Sequence, residues 1–285
     1  MERQRAVQIK NGWSKRLSTL VSYFLALTYA LLIVVPMYYV VISSFKDNSQ
    51  IFSAPLALPK FLDFGNYLLA QERVNMLRAM GVSAQITVVA LIINLSLGYL
   101  AAYAIARIET RVALWFEAYF STGFLIPVFA VIVPVFLLAA KTGLLYKPIF
   151  VMLFYAGSRL PITIVILSSQ IRQIPQELED SAKIDGANQL QTIFFVFFPL
   201  SRAAIVTVLV MNFISFWNEY LFALILLAGD TRTVQLVVPL LRSERLVDYG
   251  LVAAGIVISM VPIYIIFILF EEQIVTGLMG GAVKQ

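Results

Sequence analysis

The chain has 285 residues, of which 60% are hydrophobic and 13% charged, and its mean hydropathy is +0.87. Soluble domains carry about 25% charged residues, so this composition indicates an integral membrane protein. The sequence contains neither Cys nor His, which excludes thiol catalysis, disulfides, zinc sites built on Cys or His and a Ser–His triad.

The formal net charge is +5, and the distribution of the basic residues indicates their role. Lys and Arg stand at the ends of apolar runs and form no continuous stripe. This pattern orients helices in a membrane, whereas nucleic-acid binding needs a basic face. The charge therefore predicts a lipid bilayer as partner and no nucleic acid.

The N-terminal tail, residues 1–16, is basic and precedes the first apolar run. Positive charge is retained on the cytoplasmic side of a membrane, so we expect this tail in the cytoplasm. The apolar run that follows is too long for the apolar region of a signal peptide, and no small-residue cleavage site follows it. We therefore expect a retained span.

Six apolar runs follow one another along the chain. A helix needs about 20 residues to cross the hydrocarbon core, and every run is long enough, whereas barrel strands are shorter and alternate. The runs cover residues 17–45, 79–106, 118–140, 149–171, 203–229 and 249–270. The sequence therefore predicts an all-α integral membrane protein in which residues 17–285 contain six transmembrane helices.

The basic N-terminal tail also sets the predicted side of each connecting segment. An even number of spans returns the C-terminal tail, residues 274–285, to the cytoplasm. The hydrophilic segment 172–202, between the fourth and fifth spans, then lies on the cytoplasmic side. The segments expected outside are 46–78, 141–148 and 230–248.

Two charged side chains interrupt apolar runs, Arg159 in the fourth and Glu219 in the fifth. A charge at the centre of a transmembrane helix costs about 2.5–3.5 kcal/mol on insertion scales. We expect these side chains to form an ion pair, to line a solute pathway together with Asn218, or to anchor the helices. Asn212 either lines the pathway or joins helices by hydrogen bonds.

The segment 172–202 is charged although it lies between two long apolar runs. Pro175 suits the first turn of a helix, Glu179 lies where the helix dipole favours anions, and Gly186 provides the left-handed residue that ends a helix. Asn188 then predicts the start of a second, aromatic-rich helix towards Pro199. From the residues alone, the segment either binds a soluble partner or is a solvated connection.

The same segment resembles the EAA loop of the membrane subunits of ATP-binding-cassette importers. That pattern is Glu-Ala-Ala, three residues, Gly, nine residues, Ile, any residue and Leu-Pro. The corresponding positions here are Asp180, Ser181, Ala182, Gly186, Val196, Phe198 and Pro199. Asp185-Gly186-Ala187 is the form typical of the sugar importers in this class.

Four further motifs are similar to the maltose-transporter-type permease subunit, which has six spans. They occur in the same order, and the resemblance extends from about residue 43 to the end of the chain. The motifs are Ser43-Ser44-Phe45-Lys46, Leu160-Pro161, Phe216-Trp217-Asn218-Glu219-Tyr220 and Gly280-Gly281-Ala282-Val283-Lys284.

The resemblance implies a transport subunit, not an enzyme, in the plasma (inner) membrane of a bacterium or archaeon. It implies a second permease subunit, a cytoplasmic ATPase dimer and an extracellular solute-binding protein that delivers a sugar or related polyol. It places the C-terminal tail near the ATPase pair and the loop 230–248 near the binding protein. The residues it assigns to ATPase coupling are Glu179, Asp180, Ser181, Ala182, Asp185, Gly186, Ala187 and Pro199.

No Gly-x-x-x-x-Gly-Lys-[Ser/Thr] motif occurs in the chain, so we expect it to bind no cofactor. ATP and Mg would be used by the partner ATPase.

An ion-coupled secondary transporter is the alternative. Proton coupling usually needs several buried acids or histidines, whereas the six runs contain one carboxylate and no His, and no inverted repeat is evident. A membrane enzyme is disfavoured because no run contains paired Asp, His-Glu-x-x-His or Gly-x-Ser-x-Gly.

Overall fold

The computed structural model describes residues 2–108, 110–242 and 247–282, and these residues form helices and loops without a β-strand. In chain order the α-helices are α1 (Glu2–Ser43), α2 (Asn48–Ser53), α3 (Gly65–Val74), α4 (Met76–Arg107), α5 (Arg111–Thr122), α6 (Ile132–Lys141), α7 (Pro148–Ser158), α8 (Leu160–Arg172), α9 (Gln176–Ile184), α10 (Gln189–Thr192), α11 (Phe198–Leu200), α12 (Arg202–Trp217), α13 (Leu221–Leu226), α14 (Val234–Val237) and α15 (Tyr249–Ala282).

The chain divides into two compact units. The first comprises Met1–Ala70 and Leu241–Val257, and the second comprises Gln71–Leu240 and Ile258–Gln285. Two of the predicted contact regions extend beyond the described residues, since 243–246 of the loop 230–248 and 283–285 of the C-terminal tail lie outside them.

In the first unit, polar side chains hold the segment that follows α1. Lys46, from the predicted Ser-Ser-Phe-Lys motif, is buried, and its Nζ donates to the carbonyl oxygen of Ala54 at 3.1 Å. The amide of Asn48 donates to the Val247 carbonyl at 2.7 Å and accepts from the Tyr249 N–H at 2.9 Å. Asn48 therefore joins the start of α2 to the start of α15.

Three continuous helical segments are long and apolar enough to cross a membrane. They are Ser18–Ser43 of α1, Met76–Arg107 of α4 and Tyr249–Gln273 of α15. They correspond to the first, second and sixth predicted runs. In these three runs, a long apolar sequence forms one continuous helix.

The fourth and fifth predicted runs each contain a bend. Pro148–Ser158 and Leu160–Arg172 meet at 42°, and Gln189–Leu200 and Arg202–Trp217 meet at 78°. At the first bend Pro161 has no N–H to donate to the helix turn before it. If each bent pair crosses the membrane once, the described residues contain five spans by length and composition.

The third predicted run, residues 118–140, is not one helix. It is divided between the 12-residue α5 and the 10-residue α6, with 3₁₀ turns at Gly123–Leu125 and Val128–Val131 between them. Pro127 separates the two turns, and Ile126 before it is extended, as the steric demand of a following proline requires. Pro134 lies in the first turn of α6, where proline is tolerated.

The second unit is built around α4, which packs against α7, α8 and α12. Gly98 permits the close approach of α4 and α8, because a Cβ atom at this position would lie 2.4 Å from the Thr163 Cγ2 atom. Towards the end of α4, a buried cluster connects this helix through α8 to the segment 172–202. Its members include Tyr103, Ile171 and Phe197.

Candidate functional site

Helix α9 lies in the middle of the segment 172–202. Pro175 is its N-cap residue, one position earlier than the first-turn place predicted from sequence. Gly186 has φ = +83° and ends the helix as predicted. The N–H groups of Gly186 and Ala187 donate to the carbonyls of Lys183 (3.1 Å) and Ala182 (2.9 Å), which is the hydrogen-bond pattern of a Schellman motif.

A capping box begins the second helix, as the position of Asn188 predicted. The Asn188 side chain accepts from the Gln191 N–H at 2.9 Å, and the Gln191 side chain accepts from the Asn188 N–H at 2.8 Å. The helix widens into a π turn at Ile193–Phe197. This widening precedes Pro199, which has no N–H to continue regular α-helical bonding. Both ends of the turn between the two helices are therefore fixed locally.

The predicted coupling residues divide into a buried set, which packs against the rest of the chain, and a solvent-exposed set. Ala182 is buried, and the side chain of Glu179 is only 12% exposed. Ile184, at the end of α9, is 86% exposed although it is apolar. The exposed members of the predicted set are Asp180, Ser181, Asp185, Gly186 and Pro199, and Ala187 is half-buried.

Glu179 is held by residues on two helices. Its carboxylate lies 3.9 Å from the Arg107 Nε atom, at the end of α4, and 3.0 Å from the Lys183 Nζ atom, on its own helix. The Tyr103 hydroxyl donates to the same carboxylate at 3.4 Å. Glu179 thus connects α9 to α4.

Arg107 has a role that the sequence did not indicate. Its Nη2 atom donates to the carbonyl of Ile171 at 2.9 Å and also to the carbonyl of Ile174. Its guanidinium carbon lies 4.7 Å from the centroid of the Phe197 ring. Because Arg107 follows directly after an apolar run, its position in the sequence indicates only on which side of the membrane the helix ends.

Glu219 lies between α12 and α13 and satisfies the start of α13. Its two carboxylate oxygens accept from the backbone N–H groups of Phe222 and Ala223, both at 2.9 Å. The Tyr155 hydroxyl donates to the same carboxylate at 2.7 Å. The carboxylate therefore acts as a helix cap, with negative charge at the positive end of the helix dipole.

Arg159 and Glu219 do not form an ion pair in this structure, so one of the three roles expected for them is not observed. Arg159 is exposed at the junction of α7 and α8, and it forms no ion pair within 4 Å among the described residues. Glu219 instead bonds to neutral donors. Asn218 is also exposed; its amide donates to the Ile214 carbonyl at 3.0 Å and accepts from the Gln235 amide at 3.2 Å.

Asn212 belongs to a buried polar cluster that joins α4, α8 and α12. Its amide donates to the Asn94 side-chain oxygen and to the Thr163 hydroxyl, both at 2.9 Å. Thr163 donates to Asn94 at 2.7 Å, and Asn94 donates to the carbonyl of Ala156 at 2.7 Å. Of the two roles expected for Asn212, the structure shows the one that joins helices.

Comparison with known proteins identifies the family. Residues 94–274 match the family described as "binding-protein-dependent transport system inner membrane component". The diacetylchitobiose uptake system permease protein NgcG of Streptomyces coelicolor is 31% identical over 274 residues, which covers 95% of this chain and 91% of that protein.

Two solved structures share the fold. A bacterial ABC transporter involved in the import of the acidic polysaccharide alginate matches with a TM-score of 0.80 and 22% identity, over 91% of this chain and 97% of that chain. A bacterial alginate ABC transporter in complex with an alginate pentasaccharide-bound periplasmic protein matches with a TM-score of 0.67 and 17% identity, over 90% and 93%. The family match covers more than half of the chain and contains the whole of segment 172–202. The chain therefore belongs to the binding-protein-dependent transport system inner membrane components, the membrane permease subunits of ABC importers.

Proposed function

We propose that this permease imports a sugar or related polyol and forms half of the translocation pathway. A separate ATPase would bind its segment 172–202 and drive transport. The observation that carries this proposal is a solvent-exposed helix, α9, that lies between apolar helices and is followed by a turn fixed by the Schellman motif and the capping box. A solvated connection needs neither the Schellman motif nor the capping box, whereas a docking element needs a fixed shape.

The exposed face of α9 and the turn after it are the proposed ATPase-binding surface. Asp180, Ser181 and Asp185 supply its polar contacts, and Ile184 supplies an apolar side chain that is 86% exposed in this chain. Apolar side chains that fill a partner's pocket contribute most to an interface when polar contacts surround them. Ala182 and Glu179 lie on the opposite face of α9, where they pack against the rest of the chain and support the exposed face.

The remaining partners follow from what this sequence lacks and from the related proteins. Without a P-loop motif in the chain, ATP and Mg belong to the proposed ATPase dimer. A second permease subunit would complete the pathway. An extracellular solute-binding protein would deliver the solute, as the complex of the alginate transporter with its periplasmic protein suggests.

We propose six spans with both termini in the cytoplasm. The third span would consist of α5 and α6 with the Pro127 break between them. The basic tail 1–16 supports this orientation. In this orientation the tail 274–285 and the segment 172–202 would lie in the cytoplasm, and the loop 46–78 would lie on the extracellular side. The permease domain would comprise residues 17–285.

Carbohydrate is the proposed solute class because the relative NgcG belongs to a diacetylchitobiose uptake system and the alginate importer carries a polysaccharide. Arg159 and Asn218 are the proposed pathway residues, because both are exposed in this chain. Asn212 and Glu219 are not proposed as pathway residues, because Asn212 is buried and the Glu219 carboxylate caps α13. Glu219 was the carboxylate on which ion coupling would have depended, so its use as a helix cap disfavours a secondary transporter.

Purification of the chain from its native membrane in a mild detergent tests the proposal. We expect an ATPase to co-purify, and we expect reconstituted vesicles to accumulate a radiolabelled disaccharide only with ATP and the binding protein. Accumulation driven by a proton or sodium gradient, with no ATPase present, would contradict it.

A further inference from the structure

Arg107 connects the end of α4 to three other segments. Its side chain is 11% exposed, and its guanidinium reaches the last turn of α8, the loop before α9 and the π turn, through the carbonyls of Ile171 and Ile174 and the ring of Phe197. Glu179 on α9 is its carboxylate neighbour. A single side chain therefore contacts α8, the loop before α9 and the π turn, and lies beside Glu179 of α9.

These contacts suit arginine and not lysine. The planar guanidinium donates in several directions at once and stacks against an aromatic face. Donors placed at the carbonyl end of a helix also complement its dipole, and the Ile171 carbonyl belongs to the end of α8. Lysine would preserve the charge but could not bond to both carbonyls and stack on the Phe197 ring at the same time.

One contact of Arg107 is incomplete. Its Nε atom is buried without a hydrogen-bond partner among the described residues, and the nearest carboxylate oxygen of Glu179 lies 3.9 Å away. An N–H to oxygen hydrogen bond is about 2.9 Å long. A shift of α9 towards α4 by about 1 Å would therefore complete a charge-assisted hydrogen bond.

We propose that Arg107 is a positioning residue that makes α9 and the cytoplasmic end of α4 move as one body when the ATPase acts on the segment 172–202. This inference rests on the proposed function. The hydrogen bonds to Ile171 and Ile174 hold the guanidinium in place, and a hydrogen bond from Nε to Glu179 forms when α9 is pushed towards α4. Displacement of α9 thereby reaches α4, around which the second unit is built.

A second ion pair in the same unit provides a matched control. Arg172 and Glu117 form two hydrogen bonds, at 2.8 and 2.7 Å, between α8 and α5. Their side chains are 42% and 33% exposed, and neither residue lies on α9. The pair joins α8 to α5 and neither of its hydrogen bonds involves α9, so Glu117→Gln removes an ion pair without removing a contact between α9 and α4.

The experiment measures the distance between spin labels on α9 and α4 in the complete complex with its ATPase. Because the chain has no Cys, Gln176→Cys and Leu100→Cys place both labels without background from this chain, and a Cys-free ATPase and partner permease remove the rest; both positions are exposed. We expect a non-hydrolysable ATP analogue to leave the distance unchanged within about 1 Å in the otherwise unaltered chain and in Glu117→Gln. In Arg107→Lys and Glu179→Gln we expect it to change by about 2 Å or more, the size of a helix shift at an interface.

An unchanged distance in both Arg107→Lys and Glu179→Gln would overturn the inference, as would a changed distance in the otherwise unaltered chain. If Arg107→Lys fails to assemble, Glu179→Gln decides, because it leaves the arginine in place. A purely structural role would lower the amount of assembled complex and leave the distance constant. The absence of a co-purifying ATPase would refute the proposed function instead, so the two failures are distinguishable.

Discussion

Glu219 illustrates how a carboxylate is accommodated in an apolar segment without a cation. Two backbone N–H groups and one tyrosine hydroxyl satisfy its oxygens. The sequence suggested Arg159 as its partner because both residues interrupt apolar runs. Sequence position cannot show that a helix begins beside Glu219 and presents free N–H groups to it, so the sequence left the partner of Glu219 open among several alternatives.

Replacing Glu219 with Gln tests the capping role. The amide has one acceptor oxygen where the carboxylate has two, so one backbone N–H of α13 loses its partner at a cost of about 1–3 kcal/mol. We expect less assembled complex in detergent on size-exclusion chromatography, with unchanged transport per complex. Asn218→Ala, at the exposed neighbour, should preserve assembly. Normal assembly with altered transport would instead place Glu219 on the solute pathway.

Gly186 is a residue whose conformation the sequence predicted correctly. Its φ of +83° lies in the left-handed region, which costs a residue with a Cβ atom about 1–2 kcal/mol. We expect Gly186→Val to uncouple ATP hydrolysis from uptake while the chain still inserts in the membrane. Gly81→Ala is the control, because a Cβ atom there meets nothing within 4 Å. Normal uptake and normal solute-stimulated ATPase activity in Gly186→Val would refute this prediction.

Among the elements, local signals were the more reliable. The C-terminal end of α9 and the start of α10 depend on residues within one turn, so Gly186 and Asn188 were sufficient to predict them. Apolar length predicted α1, α4 and α15 in the same way. Apolar length did not predict that the run 118–140 divides into α5 and α6, because the break arises at Pro127, which lacks the N–H that a continuous helix needs. Arg107 was missed because its contacts come from residues 64 to 90 positions later.

The polar cluster of Asn94, Thr163 and Asn212 joins three helices of the second unit. Hydrogen bonds between membrane helices average about 0.6 kcal/mol and reach about 1.7 kcal/mol. Asn212→Leu removes two such bonds and leaves the Asn94 and Thr163 oxygens with fewer donors. We expect a lower thermal unfolding temperature in detergent, measured by intrinsic fluorescence. Asn218→Leu, an exposed asparagine on the adjacent segment, should have a much smaller effect. Equal effects of the two substitutions would contradict the helix-joining role.

At the scale of the whole molecule, the chain has the properties of one subunit of a larger complex. It lacks a nucleotide-binding motif, it exposes a rigid hydrophilic helix with an apolar residue at its end, and few residues of Ser18–Ser43 are buried within the chain. In our proposal, lipid and a second permease subunit cover Ser18–Ser43, and an ATPase covers the exposed helix. These observations are consistent with our proposal that an ATPase acts on segment 172–202.

Photo-crosslinking from position 184 in the native membrane tests this claim most directly. A photoreactive amino acid replaces Ile184 in one variant and Leu58, an exposed residue of the loop 46–78, in the control. We predict that the probe at position 184 crosslinks to the ATPase and that the probe at position 58 does not. Crosslinking of position 58 to the ATPase, or crosslinking of position 184 only to lipid or to an extracellular protein, would contradict the proposed coupling role.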